Sequence, residues 1–323
     1  MVARTPSVQG LTEGAILATL VALLALATRY LPIIGFASAL VCPLPLTFLV
    51  IRQGMRVALL AAVVATVVGA VAGGPLTGIA IVVTFAPLGM VLGLGVRNRW
   101  NAGTIVLVST AVVTVSLLVN LVLTLVTAGI NPYTVMIQSM QEGQEQALRL
   151  YERLGIDRRQ LERVSGMMKQ WLDLMPRLIP LLIVVGGAST ALINFQVGRL
   201  ILKRFAVETP ALPPLSTWRT HPLFLWMLPV GFFLAIAGRE RSPAIEAAGL
   251  NLSLLSQMLF SLQGLLVAWA FFDRHSTPNW LRWVMIALAF TQPVLGVAAL
   301  FFGLADAAFD LRGRWRLAKE ARS

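Results

Sequence analysis

Charge is scarce in this chain. Of its 323 residues only 12% are Asp, Glu, Lys or Arg, about half the share of a soluble globular protein, while 57% are hydrophobic. Such a chain cannot present a polar surface to water all round, and that excludes a soluble enzyme with a single membrane anchor. Cysteine is nearly absent: Cys42 stands alone, so no intrachain disulfide can form. The two histidines, His221 and His275, lie in different loops and far from Cys42 in sequence, which leaves no metal cluster and no nucleophile with its base. No Walker lysine motif, His-Glu-x-x-His pair, Cys-x-x-Cys pair or Gly-x-Ser-x-Gly elbow occurs. These absences argue against an enzyme, a metal or a cofactor, and ATP-driven transport would need another subunit as its engine. The net charge of +12 is scattered over loops beside apolar segments, where Lys and Arg serve topology, so it implies no nucleic-acid partner.

Long apolar runs dominate, and the mean hydropathy is +0.80. Runs at 12–28, 34–51, 56–72, 77–96, 103–128, 178–203, 222–238, 246–272 and 281–305 each approach the roughly 20 residues that a spanning helix needs. The expected fold is all-α, a polytopic transmembrane bundle of eight or nine spans. Ala25-Leu26-Ala27 resembles a signal-peptide cleavage site, but Arg4 alone precedes the first run and Glu13 abuts it, so that run is expected to remain as a helix.

Sidedness follows from short loops. Arg52 and Arg56, Arg97 and Arg99, and Lys203 and Arg204 fall on one side together with Arg4, and that side should be cytoplasmic. Nine spans would leave Arg312, Arg314, Arg316, Lys319 and Arg322 outside. A re-entrant seventh segment, 222–238, which is the shortest and holds Pro229, would bring them in. Trp100, Trp171, Trp218, Trp226, Trp280, Trp283 and Trp315 all fall near segment ends, as an aromatic belt would.

One segment, 130–176, is polar, with balanced acids and bases. Met136, Met140, Ala147, Tyr151 and Leu154, then Leu161, Val164, Met168, Trp171 and Met175, recur at helical spacing, so it reads as a helical hairpin outside the membrane. Gly155 should end the first helix, and Asp157 with Gln160 should start the second in the manner of a capping box. The hairpin either rests on the bundle or lipid surface or serves as a lid or docking site.

Polar and small residues within the spans are the candidate functional groups. On the fifth span Ser109, Ser116, Asn120, Thr124 and Thr127 share one side of the helix, and such a stripe should face protein or a cavity. Asn194 and Gln196 add polar groups on the sixth span, and Ser253, Ser256, Gln257 and Ser261 on the eighth. Asn120, Ser116, Asn194 and Gln196 are the candidate ligand contacts, with Asn120 expected beside Asn194. Ala15, Ala18, Ala22 and Ala25 line one face of the first helix, and Gly69 with Gly73, Gly74 with Gly78 and Gly89 with Gly93 stand at small-xxx-small spacing; all permit close helix approach, within the protein or to a partner. Pro87 should kink the fourth span. No acidic residue lies deep in a span, which disfavours a carboxylate proton relay.

Several elements in order form a pattern: Thr12-Glu13-Gly14-Ala15, Pro43-Leu44-Pro45-Leu46, Arg52-Gln53-Gly54, Gly73-Gly74-Pro75, Asn131-Pro132 and Leu262-Gln263-Gly264. Over nearly the whole chain they resemble the YybS-like family of bacterial membrane proteins. The first six spans of that family resemble in turn the substrate-binding S component of energy-coupling factor transporters, whose first helix offers an Ala-x-x-x-Ala face to a transmembrane coupling subunit; Ala18 and Ala22 stand at that spacing. The resemblance implies a multi-pass protein of the bacterial cell membrane, with six helices around a small-molecule pocket that opens to the outside and with both ends of the six-helix unit cytoplasmic. It also implies a coupling subunit and ATPases as partners besides the lipid bilayer. The hairpin and the extra C-terminal helices depart from an S component. The expected organisation is therefore 1–204 as an S-component-like bundle carrying the 130–176 insert, 205–311 as further transmembrane helices, and 312–323 as a basic tail. The expected role is binding and uptake of a small molecule, the alternative being a scaffold or regulatory membrane protein without transport.

The topology is testable by labelling in intact cells. A cysteine introduced at Gln144 should react with membrane-impermeant maleimide, and reaction with permeant reagents alone would invert the orientation.

Overall fold

The computed structural model describes residues 8–129, 131–154, 157–214, 217–275 and 277–320. Helices follow the apolar runs, and among the described residues there is no strand: α1 (Val8–Tyr30), α2 (Pro32–Val41), α3 (Leu44–Arg52), α4 (Met55–Gly73), α5 (Pro75–Ala80), a π-helical turn (Ile81–Phe85), α6 (Ala86–Arg97), α7 (Ala102–Ala128), α8 (Pro132–Arg153), α9 (Arg158–Arg204), a 3-10 turn (Pro222–Trp226), α10 (Met227–Arg241), α11 (Pro243–Arg274), α12 (Asn279–Thr291), α13 (Pro293–Phe309) and α14 (Leu311–Glu320). Eight segments are long and apolar enough to cross a bilayer, and a ninth counts if α12 and α13, bent by 102° to each other, make one broken span.

Proline and glycine set the breaks. Pro32, Pro75, Pro132, Pro243 and Pro293 stand at helix starts, where the missing N–H costs nothing. Gly54 and Gly74, with φ of 93° and 82°, make turns that side-chain-bearing residues rarely adopt. Inside the fourth span, Pro87 has no N–H to give to the Val83 carbonyl and its ring crowds it. The preceding turn widens, and the Ala86 N–H reaches back to the Ile81 carbonyl. The expected kink at Pro87 is thus a π-helical turn.

Two expectations need correction. The second hairpin helix and the sixth span are one 47-residue helix, α9, which runs through Pro176 and Pro180. The irregular span is the last and not the seventh: 222–238 continues as a helix to Arg241, whereas 281–305 breaks at Gln292-Pro293. The start of the second hairpin helix is capped by Asp157, which accepts from the Arg159 N–H at 3.4 Å; Gly155 and the Gln160 side chain lie outside the described residues.

The chain forms two compact units, one of Met1–Asp173 with Leu182–Leu212 and the other of Leu174–Leu181 with Pro213–Ser323. In the first, α1 meets α4 through Ala18, Val21 and Ala25 against Ala58, Ala61, Ala62 and Ala65, all buried. Lipid is as apolar as these side chains, so the attraction between helices is close packing, which small residues allow. On α6, Gly89 and Gly93 lie flat on α3: a methyl group on Gly93 would stand 2.6 Å from Val50 Cβ and 2.8 Å from the Thr47 carbonyl. A second cluster joins Leu88 and Leu92 of α6 to Ile105 and Val113 of α7 and Phe195 of α9.

The second unit repeats this device. Gly231 of α10 lies on Ser253 of α11, Gly249 of α11 on Ala235 of α10, and Gly264 of α11 on Ala299 of α13. At Pro180, where the helix ladder is interrupted, Asn251 repairs it: its Nδ2 donates to the Arg177 carbonyl at 2.7 Å and its Oδ1 accepts from the Leu181 N–H at 2.8 Å. Arg177 also pairs with Glu246 at 3.0 Å.

The α11–α13 crossing gives a direct test. A side chain on Gly303 would run into the Phe260 carbonyl, whereas Gly186 has nothing within 4 Å of an added methyl group. Gly303→Leu should lower thermal stability in detergent by about 1–3 kcal/mol or prevent folding, and Gly186→Ala should leave it unchanged. Equal melting of the two variants by fluorescence-detected gel filtration would refute so close a crossing.

Candidate functional site

The polar stripe of α7 meets the π-helical turn. Asn120 donates from Nδ2 to Thr84 Oγ1 at 2.8 Å and to the Ser116 carbonyl at 3.0 Å. A π turn exposes a hydroxyl where a regular helix would bury it in the next turn, so Pro87, Thr84 and Asn120 act together in joining the fourth and fifth spans. Ser116 is buried beside them, while Thr124 and Thr127 turn their hydroxyls back on the Asn120 and Leu123 carbonyls.

Asn194 does not lie beside Asn120. Thr114 faces Gly187 where α7 and α9 cross, and Phe195 packs with Ala102 and Ile105, so later residues of α9 meet earlier residues of α7. Asn120 and Asn194 lie on opposite sides of that crossing, roughly 19 Å apart at about 1.5 Å of rise per residue. Asn194 is 2% exposed; its Nδ2 donates to the Thr190 carbonyl at 2.9 Å, and its Oδ1 has no hydrogen-bond partner among the described residues. Ser109 Oγ is buried in the same condition. Asn194 borders a crevice with Thr47, Arg199 and Thr209 that admits only a water-sized group. Gln196 points out of the unit and joins none of these groups.

The alanine face of α1 is divided. Ala18, Ala22 and Ala25 are buried within the unit, and Ala15 alone is exposed. As a surface open to a partner the face is therefore corrected to an interior one, because the same small side chains that would admit a partner admit α4.

Two polar clusters escaped the reading of single residues. The first joins the ends of α1, α3 and α6: Glu13 accepts from Arg52 Nη1 at 2.9 Å and Gln53 Nε2 at 2.6 Å, and Arg97 Nη1 donates to the Val50 carbonyl at 2.8 Å across Gly54. Thr12-Glu13-Gly14 and Arg52-Gln53-Gly54, quoted above only as fragments of a pattern, meet here. The second cluster lies in the second unit. Asp306 accepts from Gln263 Nε2 at 2.9 Å, Arg312 Nε at 2.9 Å and the Arg312 N–H at 3.0 Å, while Arg312 Nη2 donates to the Trp218 carbonyl at 2.6 Å and Gln263 Oε1 accepts from the Thr220 N–H at 3.0 Å. Arg312, the first residue of the expected basic tail, is 3% exposed, and Asp306 is 4% exposed. Asp310, at φ 51°, reverses the chain and lays α14 back towards Asp306. The signal was the Gln263-Gly264 pair, whose glycine admits α13 and whose amide then meets Asp306.

A buried pair is costly to break from one side. Arg312→Gln should destabilise the protein by about 3–5 kcal/mol, since it strands a buried carboxylate, and the double change with Asp306→Asn should recover part of that loss. Melting temperatures of both variants in detergent decide it: a single variant as stable as wild type would mean the pair is solvated.

The chain is 22% identical over 309 residues, covering 95% of it and 98% of the relative, to "Uncharacterized protein YybS" of Bacillus subtilis (strain 168). No solved structure matches it. A family model described as "Predicted membrane protein (DUF2232)" matches residues 19–307, from within α1 to the last turn of α13. Since that range takes in the packed helices of both units, the chain belongs to this family and is a multi-pass integral membrane protein.

Proposed function

We propose that the protein binds a small molecule within the six-span part of its first unit and serves its uptake, in the manner of the S components it resembles. A separate coupling subunit and ATPases would supply the energy. The observation that carries this reading is Asn194. A carbonyl oxygen in the interior of a membrane protein with nothing to accept from costs several kcal/mol, and its amide nitrogen is already held by Thr190. A ligand that donates to Asn194 Oδ1 removes that cost. Arg199 and Thr209 border the same crevice, so a polar ligand also meets a cation there. The crevice must widen to take more than a water-sized group. It lies towards Lys203 and Arg204, which in the sidedness expected from the loop charges is the side of release.

In this reading Asn120 and Ser116 lock helices and do not touch the ligand, because the Asn120 Nδ2 is already given to Thr84 Oγ1 and the Ser116 carbonyl. One observation favours the alternative, a scaffold or regulatory protein without transport: Ala18 and Ala22 pack inside the unit and leave no alanine face for a coupling subunit.

Mass spectrometry of small molecules and proteins that co-purify in mild detergent tests both. Wild type should retain a ligand that Asn194→Leu loses without any fall in melting temperature. Asn120→Leu should keep the ligand but lose about 1 kcal/mol of stability, the worth of one interhelical hydrogen bond. If wild type brings down neither a ligand nor an ATPase, the regulatory reading replaces uptake.

A further inference from the structure

The second unit holds a cleft that the uptake reading does not use. The break at Gln292-Pro293 turns α13 by 102° from α12, and the crook so formed, closed on its third side by α11, leaves a half-open cleft of about 160 Å³. That is below the roughly 300–1,000 Å³ of sites that enclose a whole small molecule, and it suits a stretch of a single hydrocarbon chain. Its walls are apolar throughout: Ala268 and Phe272 from α11, Met285 and Ile286 from α12, and Ala298 and Phe302 from α13. The outer faces of α12 and α13, with Val284, Val294 and Phe301, are exposed and apolar, so the cleft opens among lipid-facing side chains. A hydrocarbon chain can enter sideways without leaving the bilayer.

The end of the cleft at Phe272 carries a different chemistry. Trp269 and Trp283 meet edge to face at 5.4 Å, Arg282 lies over the Trp269 ring at 5.6 Å and pairs with Asp273, and Trp315 of α14 stands 6.2 Å from Phe271. Tryptophan and arginine at the end of an apolar channel mark the level of lipid headgroups. Arg282 is neutralised by Asp273, but Arg274, which ends α11, and Arg314, beside Trp315, are exposed and add positive charge at that rim.

We infer that this cleft seats an acyl chain of an anionic phospholipid, whose phosphate lies against Arg274 and Arg314. Chain and headgroup are recognised by separate surfaces. Burial of apolar area holds the chain, and the two arginines select the charge. The inference stands on the second unit alone and is independent of a ligand at Asn194.

Photocrosslinking tests it on the full-length protein in vesicles of phosphatidylcholine with a minor fraction of phosphatidylglycerol, one lipid at a time carrying a diazirine on its acyl chain. Peptide mass spectrometry should find adducts on the cleft residues of α11, α12 and α13, with phosphatidylglycerol favoured about tenfold at equal mole fraction. Ala268→Trp, which fills the cleft, should abolish the adducts. If that variant does not fold, Ala298→Phe fills the cleft from α13 and serves in its place. Arg274→Gln with Arg314→Gln should bring phosphatidylglycerol labelling down to the phosphatidylcholine level and leave the latter intact. The inference is overturned if wild type shows no adducts in the cleft, if it labels equally with both lipids, or if the filled cleft labels as wild type does.

Discussion

Inside a bilayer there is no water to take up an unpaired N–H or carbonyl, so each break in a helix has to be answered by another part of the protein. This chain breaks its helices often, having 17 prolines and 26 glycines, and several of its polar side chains stand at those breaks. Asn251 bridges the two backbone groups that Pro180 parts. Thr84 stands in the widened turn before Pro87 and receives Asn120. Thr47 turns its hydroxyl to the Pro43 carbonyl at 3.1 Å and the Gly89 carbonyl at 3.0 Å, next to the break between α2 and α3. Proline and its polar complement thus come in pairs, usually on different helices, and each pair fixes a helix crossing as well as a backbone bond.

Charges obey the same constraint with a larger penalty. The Arg312 guanidinium and the Asp306 carboxylate are both buried, and burying either alone would be far more costly than the pair returns. What the pair gains in position is clear from its partners. Trp218, Gln263, Asp306 and Arg312 come from the segment after the first unit, from α11, from α13 and from α14, so a single network holds four stretches of chain. Glu13, Arg52 and Gln53 do for the ends of α1 and α3 what this network does for the second unit. Exposed as Arg52 is, that pair adds little by itself, and its value is in setting the register of α1 on α3.

Much of the fold was legible in the sequence, because transmembrane helices declare themselves by length and hydropathy, and the proline and glycine turns declare their ends. What was not legible is pairing across sequence distance. The alanine face of α1 has the same spacing whether it meets α4 or a partner, and only the burial of Ala18, Ala22 and Ala25 decides. Asn120 and Asn194 look alike as isolated amides in apolar helices, yet they lie on opposite sides of the α7–α9 crossing because the fold sets the level at which Thr114 meets Gly187. Arg312 reads as a tail residue until Asp310 turns the chain back. Pro293 was read as interior to a span because the hydropathy on both sides is high, although an extended Gln292 before it ends one helix and begins another.

Among the described residues the buried side-chain oxygens of Ser109, Asn194 and Ser256 have no hydrogen-bond partner, and they are not equal. Ser109 and Ser256 end in hydroxyls that rotate, so a small shift can turn either onto a backbone carbonyl of its own helix. The Asn194 carbonyl cannot do this, since its amide plane is held by the bond from Nδ2 to Thr190, and Oδ1 is directed by that same plane. The crevice beside it is lined by Leu44, Leu92, Val96 and Phe195 as well as by Thr47, Arg199 and Thr209, and none of those polar side chains donates to Oδ1. Asn120 ties its Nδ2 both to Thr84 Oγ1 on the neighbouring span and to the Ser116 carbonyl of its own helix. What separates the two amides in this structure is therefore the neighbour each meets: Asn120 meets the π turn before Pro87, and Asn194 Oδ1 meets no donor among the described residues.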